Sequence, residues 1–143
     1  MWRLCSQLVR REQADDVTQE VYLRAWRALP SFRGDSSSRT WLLSIARRTC
    51  ADAVRELRRR RRLMGRLEVN EVAPDPTRAV AVEALLADLD PDRRTAFVLT
   101  QVLGLSYAEA AEICDCPVGT IRSRVARSRA DLIARLEEEE AAP

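Results

Sequence analysis

Residues 105–136 run LSYAEAAEICDCPVGTIRSRVARSRADLIARL, and the fold turns on how this stretch divides. Ser106 precedes Glu109 by three residues, the spacing of a capping box in which each side chain satisfies the other's backbone N–H. That spacing predicts a short helix with Ala108, Ala111 and Ile113 available for packing. Cys114-Asp115-Cys116 supplies a turn, and Pro117 suits the start of a second helix because the N–H that proline lacks would have no intrahelical partner in the first turn. In that second helix Ile121, Val125, Leu132 and Leu136 recur on one core-facing stripe. Two helices across a three-residue turn predict a helix-turn-helix.

The side of the second helix away from that stripe is small and basic. At about 100° per residue, Gly119, Ser123, Ala126 and Arg127 oppose Ile121 and Val125, with Thr120 and Arg122 on the flanks and Arg124 nearer the core edge. A major groove about 12 Å wide admits such a helix, small residues permit close approach, and arginine bridges guanine O6 and N7. The competing reading is a surface helix of an ordinary bundle, and periodicity alone leaves both open.

Upstream, Asp90-Pro91 has the form of an N-cap followed by a first-turn proline, and Leu85, Leu86 and Leu89 form the apolar face of a helix resuming near Arg78. Gly104 suits a helix stop after Leu103. From Met64 to Thr77 the helical period lapses around Pro74 and Pro76, which places a linker there. Residues 13–29 carry Val17, Val21, Ala25 and Leu29 at four-residue intervals, with Tyr22 and Trp26 beside them; Pro30 ends that helix. Ser31 to Ser38 form a polar loop with Gly34 and Asp35 as turn residues. A long helix begins near Arg39, with Trp41, Leu42, Ile45, Thr49 and Ala53 on one stripe, and runs into Arg58 to Arg62. Such an arginine run is by itself a solvated helix end favoured by the negative carboxyl-terminal dipole. The prediction is an all-α fold: two small helical domains, residues 1–63 and 78–143, joined by a flexible linker at 64–77, the second containing the helix-turn-helix.

Charge divides the same way. Residues 1–66 hold 16 arginines and 7 acids, and the remainder 8 arginines and 15 acids, so a net charge of +2 hides a basic front half and an acidic back half. Every basic residue is arginine, the side chain suited to forked phosphate and base-edge contacts. Cys5, Cys50, Cys114 and Cys116 are too few and wrongly spaced for a zinc knuckle, and the chain has no histidine, so no metal or cofactor is expected. No stretch reaches the roughly 18 apolar residues of a membrane span, which predicts a cytoplasmic protein without membrane insertion.

Three segments in order resemble the extracytoplasmic-function sigma factors of the sigma-70 family. They are Ala14-Asp15-Asp16-Val17-Thr18-Gln19-Glu20-Val21, then Phe32-Arg33-Gly34-Asp35 with Thr40-Trp41-Leu42, and finally Gly104-Leu105-Ser106-Tyr107 with Cys116-Pro117-Val118-Gly119-Thr120-Ile121-Arg122-Ser123-Arg124. The resemblance implies a region 2 that binds the β′ subunit of core RNA polymerase and captures the non-template strand of the −10 element, and a region 4 that reads the −35 element. It assigns Asp16, Gln19, Glu20 and Arg24 to the polymerase-facing surface. Phe32, Arg33, Thr40, Trp41 and Arg48 are assigned to the −10 strand; Thr120, Arg122, Ser123, Arg124 and Arg127 to the −35 element. It also implies the β subunit, promoter DNA and an anti-sigma factor as partners. Met1 to Val9 resemble the tail of a helix that begins earlier in the family, which implies a shortened region 2 or a start upstream.

Two rivals explain less. A stand-alone helix-turn-helix regulator accounts for residues 105–136 but gives Asp15 to Glu20 and Phe32 to Trp41 no reason to occur together. An enzyme with an accessory DNA-binding domain would need a nucleophile–base set or a phosphate-binding glycine loop, and the sequence offers neither, so no catalytic residue is expected.

Overall fold

The computed structural model describes the backbone of residues 1–65 and 78–143, and the side chains of residues 1–65 and 82–143. Helices α1 (Trp2–Leu8), α2 (Ala14–Ala28) and α3 (Ser38–Leu63) form the front half. Helices α4 (Arg78–Ala87), α5 (Pro91–Phe97), α6 (Tyr107–Cys114) and α7 (Val118–Ala141) form the back half, and no strand occurs among the described residues. The linker expected at 64–77 lies outside the described residues beyond Gly65.

Local chemistry sets the helix ends. Asp15 and Asp16 occupy the first turn of α2 and Arg27 the last, each opposing the helix dipole. Pro30 falls within a single 3₁₀ turn, Leu29–Ser31, that closes the helix. Gly34, at φ 77°, turns the loop that follows. Ser37 then caps α3, its hydroxyl oxygen accepting the Thr40 N–H at 3.1 Å. Asp90 caps α5 in the same way, accepting from the N–H groups of Asp92 and Arg93 at 3.2 and 3.3 Å. After Phe97 the chain widens into a π turn, Val98–Val102, before Gly104 leaves the helix at φ 70°.

The buried faces correct several expected stripes. Val17, Val21 and Ala25 are buried on α2, whereas Leu29 is half exposed. Steps of four residues advance about 400°, so each drifts about 40° and the fourth member has rotated off the face. On α3 the buried positions are Thr40, Leu43, Ala46, Thr49 and Cys50, with Leu42, Ile45 and Ala53 at the margin and Trp41 only half buried. On α6 Ala110 is buried where Ala108 was expected, and Ala108 faces outward. On α7 Ile121 and Val125 are buried, but Leu136 is 46% exposed because the helix outruns the elements it packs on. Ser128 takes the next core position; its hydroxyl donates to the carbonyls of Arg124 (2.8 Å) and Arg93 (3.2 Å) and so ties α7 to α5.

The two halves share one apolar cluster, which runs from Leu4 and Cys5 through Leu43 and Cys50 to Leu99, Ile113 and Val125. Helix α3 packs on α6, and Arg47 Nε donates to the Ile113 carbonyl at 2.8 Å. That carbonyl belongs to the last turn of α6, where carbonyls lack an intrahelical partner, so the guanidinium caps a helix end across the junction.

Candidate nucleic-acid and polymerase interface

The helix-turn-helix is built from its caps outward. Ser106 N–H donates to Glu109 Oε2 at 2.8 Å and Glu109 N–H to Ser106 Oγ at 3.1 Å, completing the capping box of α6. The Ser106 backbone N–H and hydroxyl, with the nearby Arg39 guanidinium, hold the Glu109 carboxyl below its ordinary value. The turn is made at Asp115, the left-handed residue at φ 52°, ψ 52°. Cys116 N–H closes it on the Ala111 carbonyl at 3.1 Å, and Pro117 stands as the N-cap of α7 rather than as its first residue. Burial pushes the Cys114 thiol up to about 11, leaving it a neutral packing group.

With Ile121 and Val125 buried beneath it, α7 presents Gly119, Arg122, Ser123, Ala126 and Arg127 to solvent, and Thr120 is half exposed. Arg124 is drawn aside: it lies 3.6 Å from Asp92 and 3.8 Å from Cys116 Sγ, so it braces the turn. The outward face carries the exposed guanidinium groups of Arg122 and Arg127 beside small neighbours, which suits a helix entering a major groove.

On the front half, the loop folds Phe32 onto Trp41 with ring centroids 4.8 Å apart and planes tilted by 41°. Both rings are partly exposed, with Arg33 and Arg48 exposed nearby in the chain. Thr40 does not join that surface. It is 5% exposed, and its hydroxyl accepts a hydrogen bond from Ser37 at 2.9 Å, so it belongs to the cap of α3.

The four residues expected to face polymerase separate into two kinds. Asp16 and Gln19 are exposed. Arg24 bridges two helices, reaching Glu20 on α2 at 2.9 Å and Asp52 on α3 at 2.6 Å; this pairing holds the Asp52 carboxyl below its usual range. A shallow groove lies between these helices, lined by Asp16, Glu20, Arg24, Asp52 and Glu56. Trp26 had been set beside the packing stripe and Leu23 had not been singled out, yet both are exposed on the side of α2 that carries Asp16 and Gln19, Trp26 at 76%. Their helical angles, each more than about 130° from the centre of the Val17–Val21–Ala25 face, would have identified them.

A helix-turn-helix with an exposed basic face, packed against a basic helical half that carries an aromatic pair, defines a DNA-binding protein of two helical parts. Family models match both: sigma-70 region 2 over residues 1–61 and sigma-70 region 4 over residues 79–132. The chain is 48% identical to the extracytoplasmic-function RNA polymerase sigma factor SigC of Mycobacterium tuberculosis, over 96% of this chain and 77% of that protein. It is 34% identical to the sigma-E factor of Escherichia coli K12, over 88% and 75%. Among solved structures it resembles the sigma factor RpoE in complex with the anti-sigma factor NepR from Bartonella quintana, at a TM-score of 0.82 and 30% identity over 95% of this chain and 89% of that one. It also resembles CnrH in complex with the cytosolic domain of CnrY, at a TM-score of 0.70 and 28% identity over 95% and 79%. This chain belongs to the extracytoplasmic-function sigma factors of the sigma-70 family. A sigma factor, not a stand-alone regulator, is the reading that accounts for both halves.

Proposed function

We propose that this sigma factor brings core RNA polymerase to promoters by presenting two DNA-reading surfaces, and that it acts by binding rather than catalysis, in the cytoplasm. The reading rests chiefly on the Phe32–Trp41 ring pair beside exposed arginines, together with the bare outer face of α7. Unpaired bases of the −10 strand stack on the aromatic pair, each worth roughly 1–3 kcal/mol, while Arg33 and Arg48 neutralise the backbone. Arg122, Ser123 and Arg127 read the −35 element, with Thr120 at the edge and Arg124 supporting the turn. Asp16 and Gln19 meet the β′ subunit together with Leu23 and Trp26, an exposed apolar neighbour of the kind that carries binding energy in interfaces. Glu20 and Arg24 set the spacing of α2 and α3 beneath that surface. Region 4 meets the β subunit, and an anti-sigma factor competes for these surfaces, as the complex of the RpoE relative suggests.

Run-off transcription with purified core polymerase and a panel of promoters tests the reading. The wild-type chain directs specific transcripts, and Asp16→Ala with Gln19→Ala weakens holoenzyme assembly while helical content stays intact. A chain that binds promoter DNA but never associates with core polymerase overturns it.

A further inference from the structure

Two of the four cysteines have no part in either proposed DNA surface. Cys5 lies on the inner side of α1 and Cys50 on the inner side of α3, at 0% and 2% exposure, in the core where those two helices pack. The two thiols lie within reach of each other: the Cys50 thiol favours the Cys5 thiolate, while Cys5 and burial push the Cys50 thiol up. A core cysteine is ordinarily a small apolar group whose burial raises its pKa, as at Cys114. At Cys5 the direction is reversed by the neighbouring thiol.

A guanidinium from the other half stands at the same place. Arg94, on α5, is half-buried, its Nε is cut off from solvent and finds no acceptor among the described residues, and its charge acts on Cys50. Burial of that group lowers the Arg94 pKa and costs free energy, for which apolar packing gives no reason. A positive charge does favour a thiolate, the form in which cysteine is nucleophilic.

Helix α1 controls access to the pair. It has seven residues, no side-chain cap, no acid in its first turn and no base in its last. Helices this short are marginal by themselves, so packing holds α1 in place and its local opening uncovers both thiols at once. In a cytoplasm that keeps thiols reduced, the compartment proposed above, a disulfide is transient and answers to an oxidant.

We propose that Cys5 and Cys50 are a peroxide-responsive thiol pair that closes to a disulfide and staples α1 to α3. The Cys5 thiolate attacks one oxygen of hydrogen peroxide, the O–O bond breaks, and hydroxide leaves a sulfenic acid on Cys5. The Cys50 sulfur then attacks the Cys5 sulfur; the S–S bond forms, the S–OH bond breaks, and the Cys50 proton leaves with that hydroxyl as water. In sum the two thiols give up two electrons and two protons, and one hydrogen peroxide becomes two waters. Arg94 promotes the second step by holding positive charge beside Cys50.

The test treats the reduced chain with hydrogen peroxide, blocks the remaining thiols, and maps an unreduced digest by mass spectrometry. Cys5 and Cys50 should appear as one linked peptide pair, lighter by two hydrogens and separated by dithiothreitol, with Cys114 still open to alkylation once the protein is unfolded. The linked chain should unfold about 10 °C above the reduced one, because the bond closes a long loop in the unfolded state. Cys50→Val should give oxidised Cys5 with no link and no such rise. Arg94→Gln should slow closure roughly threefold and Arg94→Lys should restore it. Free Cys5 and Cys50 after treatment, the mixture of pairings that urea-unfolded chain gives, or a link that leaves the midpoint unmoved overturns the proposal. Equal rates in the Arg94 variants overturn the part given to Arg94. The wild-type digest decides the pairing even where Cys50→Val fails to fold.

Discussion

The surfaces proposed for the −35 and −10 elements are both basic, yet they are made differently. The −35 face is one side of one helix: once Ile121 and Val125 are buried, helical geometry places Arg122, Ser123 and Arg127 outward. The −10 surface is assembled from two elements, with Phe32 brought onto Trp41 only because Gly34 and the Ser37 cap turn the loop back onto α3. A single-helix face should weaken one residue at a time, whereas an assembled face should lose its geometry with either partner. Beneath both lies one shared core, and that is where the contrast is most easily broken.

Ile121→Ala should have the largest effect, about 2–5 kcal/mol, because Ile121 is fully buried and its neighbours close only partly over the space it leaves. All three tryptophans, Trp2, Trp26 and Trp41, lie in the front half, so their fluorescence reports on that half alone. Urea unfolding followed by fluorescence and by circular dichroism should show one transition, shifted equally in both signals. A fluorescence transition that does not move would mean that the halves unfold independently.

Arg127→Ala comes next. It should cost about 1–3 kcal/mol on promoter DNA and relax preference at a single −35 position. Binding to single-base variants at two salt concentrations measures this; a uniform loss with a shallower salt slope would make Arg127 a phosphate contact. On the assembled surface, Phe32→Ala should reduce open-complex formation by about 1–3 kcal/mol for the base it stacks while sparing closed-complex binding. Trp41→Ala should cost the same step, and because either variant deletes the Phe32–Trp41 contact, each should also lose about 0.5–1.5 kcal/mol of stability. Wild-type stability in Phe32→Ala would show that the ring pair does not hold the loop.

The same contrast explains how much the sequence disclosed. Helix ends governed by local chemistry were readable: Asp90, the Ser106–Glu109 box, Gly104 and the break at Pro30 all act within a few residues. So was the outer face of α7, since it needs only the period of the helix. What escaped depended on the neighbours of an element. Leu136 lies on the expected stripe but beyond the bundle, Thr40 is withdrawn into a cap, and Leu23 and Trp26 were overshadowed by counting in fours. The hydrogen bond from Arg47 to the end of α6 joins residues 66 positions apart, and no local pattern encodes it.

The smallest expected effect concerns the cap on which the −35 face stands. The Glu109 carboxylate accepts the Ser106 N–H, and that bond, the Ser106 hydroxyl and the Arg39 charge keep its folded pKa below the ordinary 4.5. A group depressed in the folded state contributes stability that is fully present above its unfolded pKa and lost as pH falls through the folded value. Glu109→Ala should therefore lower the unfolding midpoint at pH 7, and the gap between variant and wild type should narrow as pH falls below the ordinary 4.5 and through the lowered folded value, where the wild-type carboxyl takes up its proton. Comparing the two proteins at each pH cancels the other carboxylates, including Glu56, which Arg59 and Arg60 hold down to about 2. Because Arg39 stands at the start of α3, Arg39→Ala should move the closing of that gap to higher pH by raising the folded pKa of Glu109 toward its ordinary value. If Arg39→Ala leaves the pH dependence where it was, the cap of the single-helix face is independent of Arg39, and the two surfaces are joined through the shared core and the Arg47–Ile113 hydrogen bond.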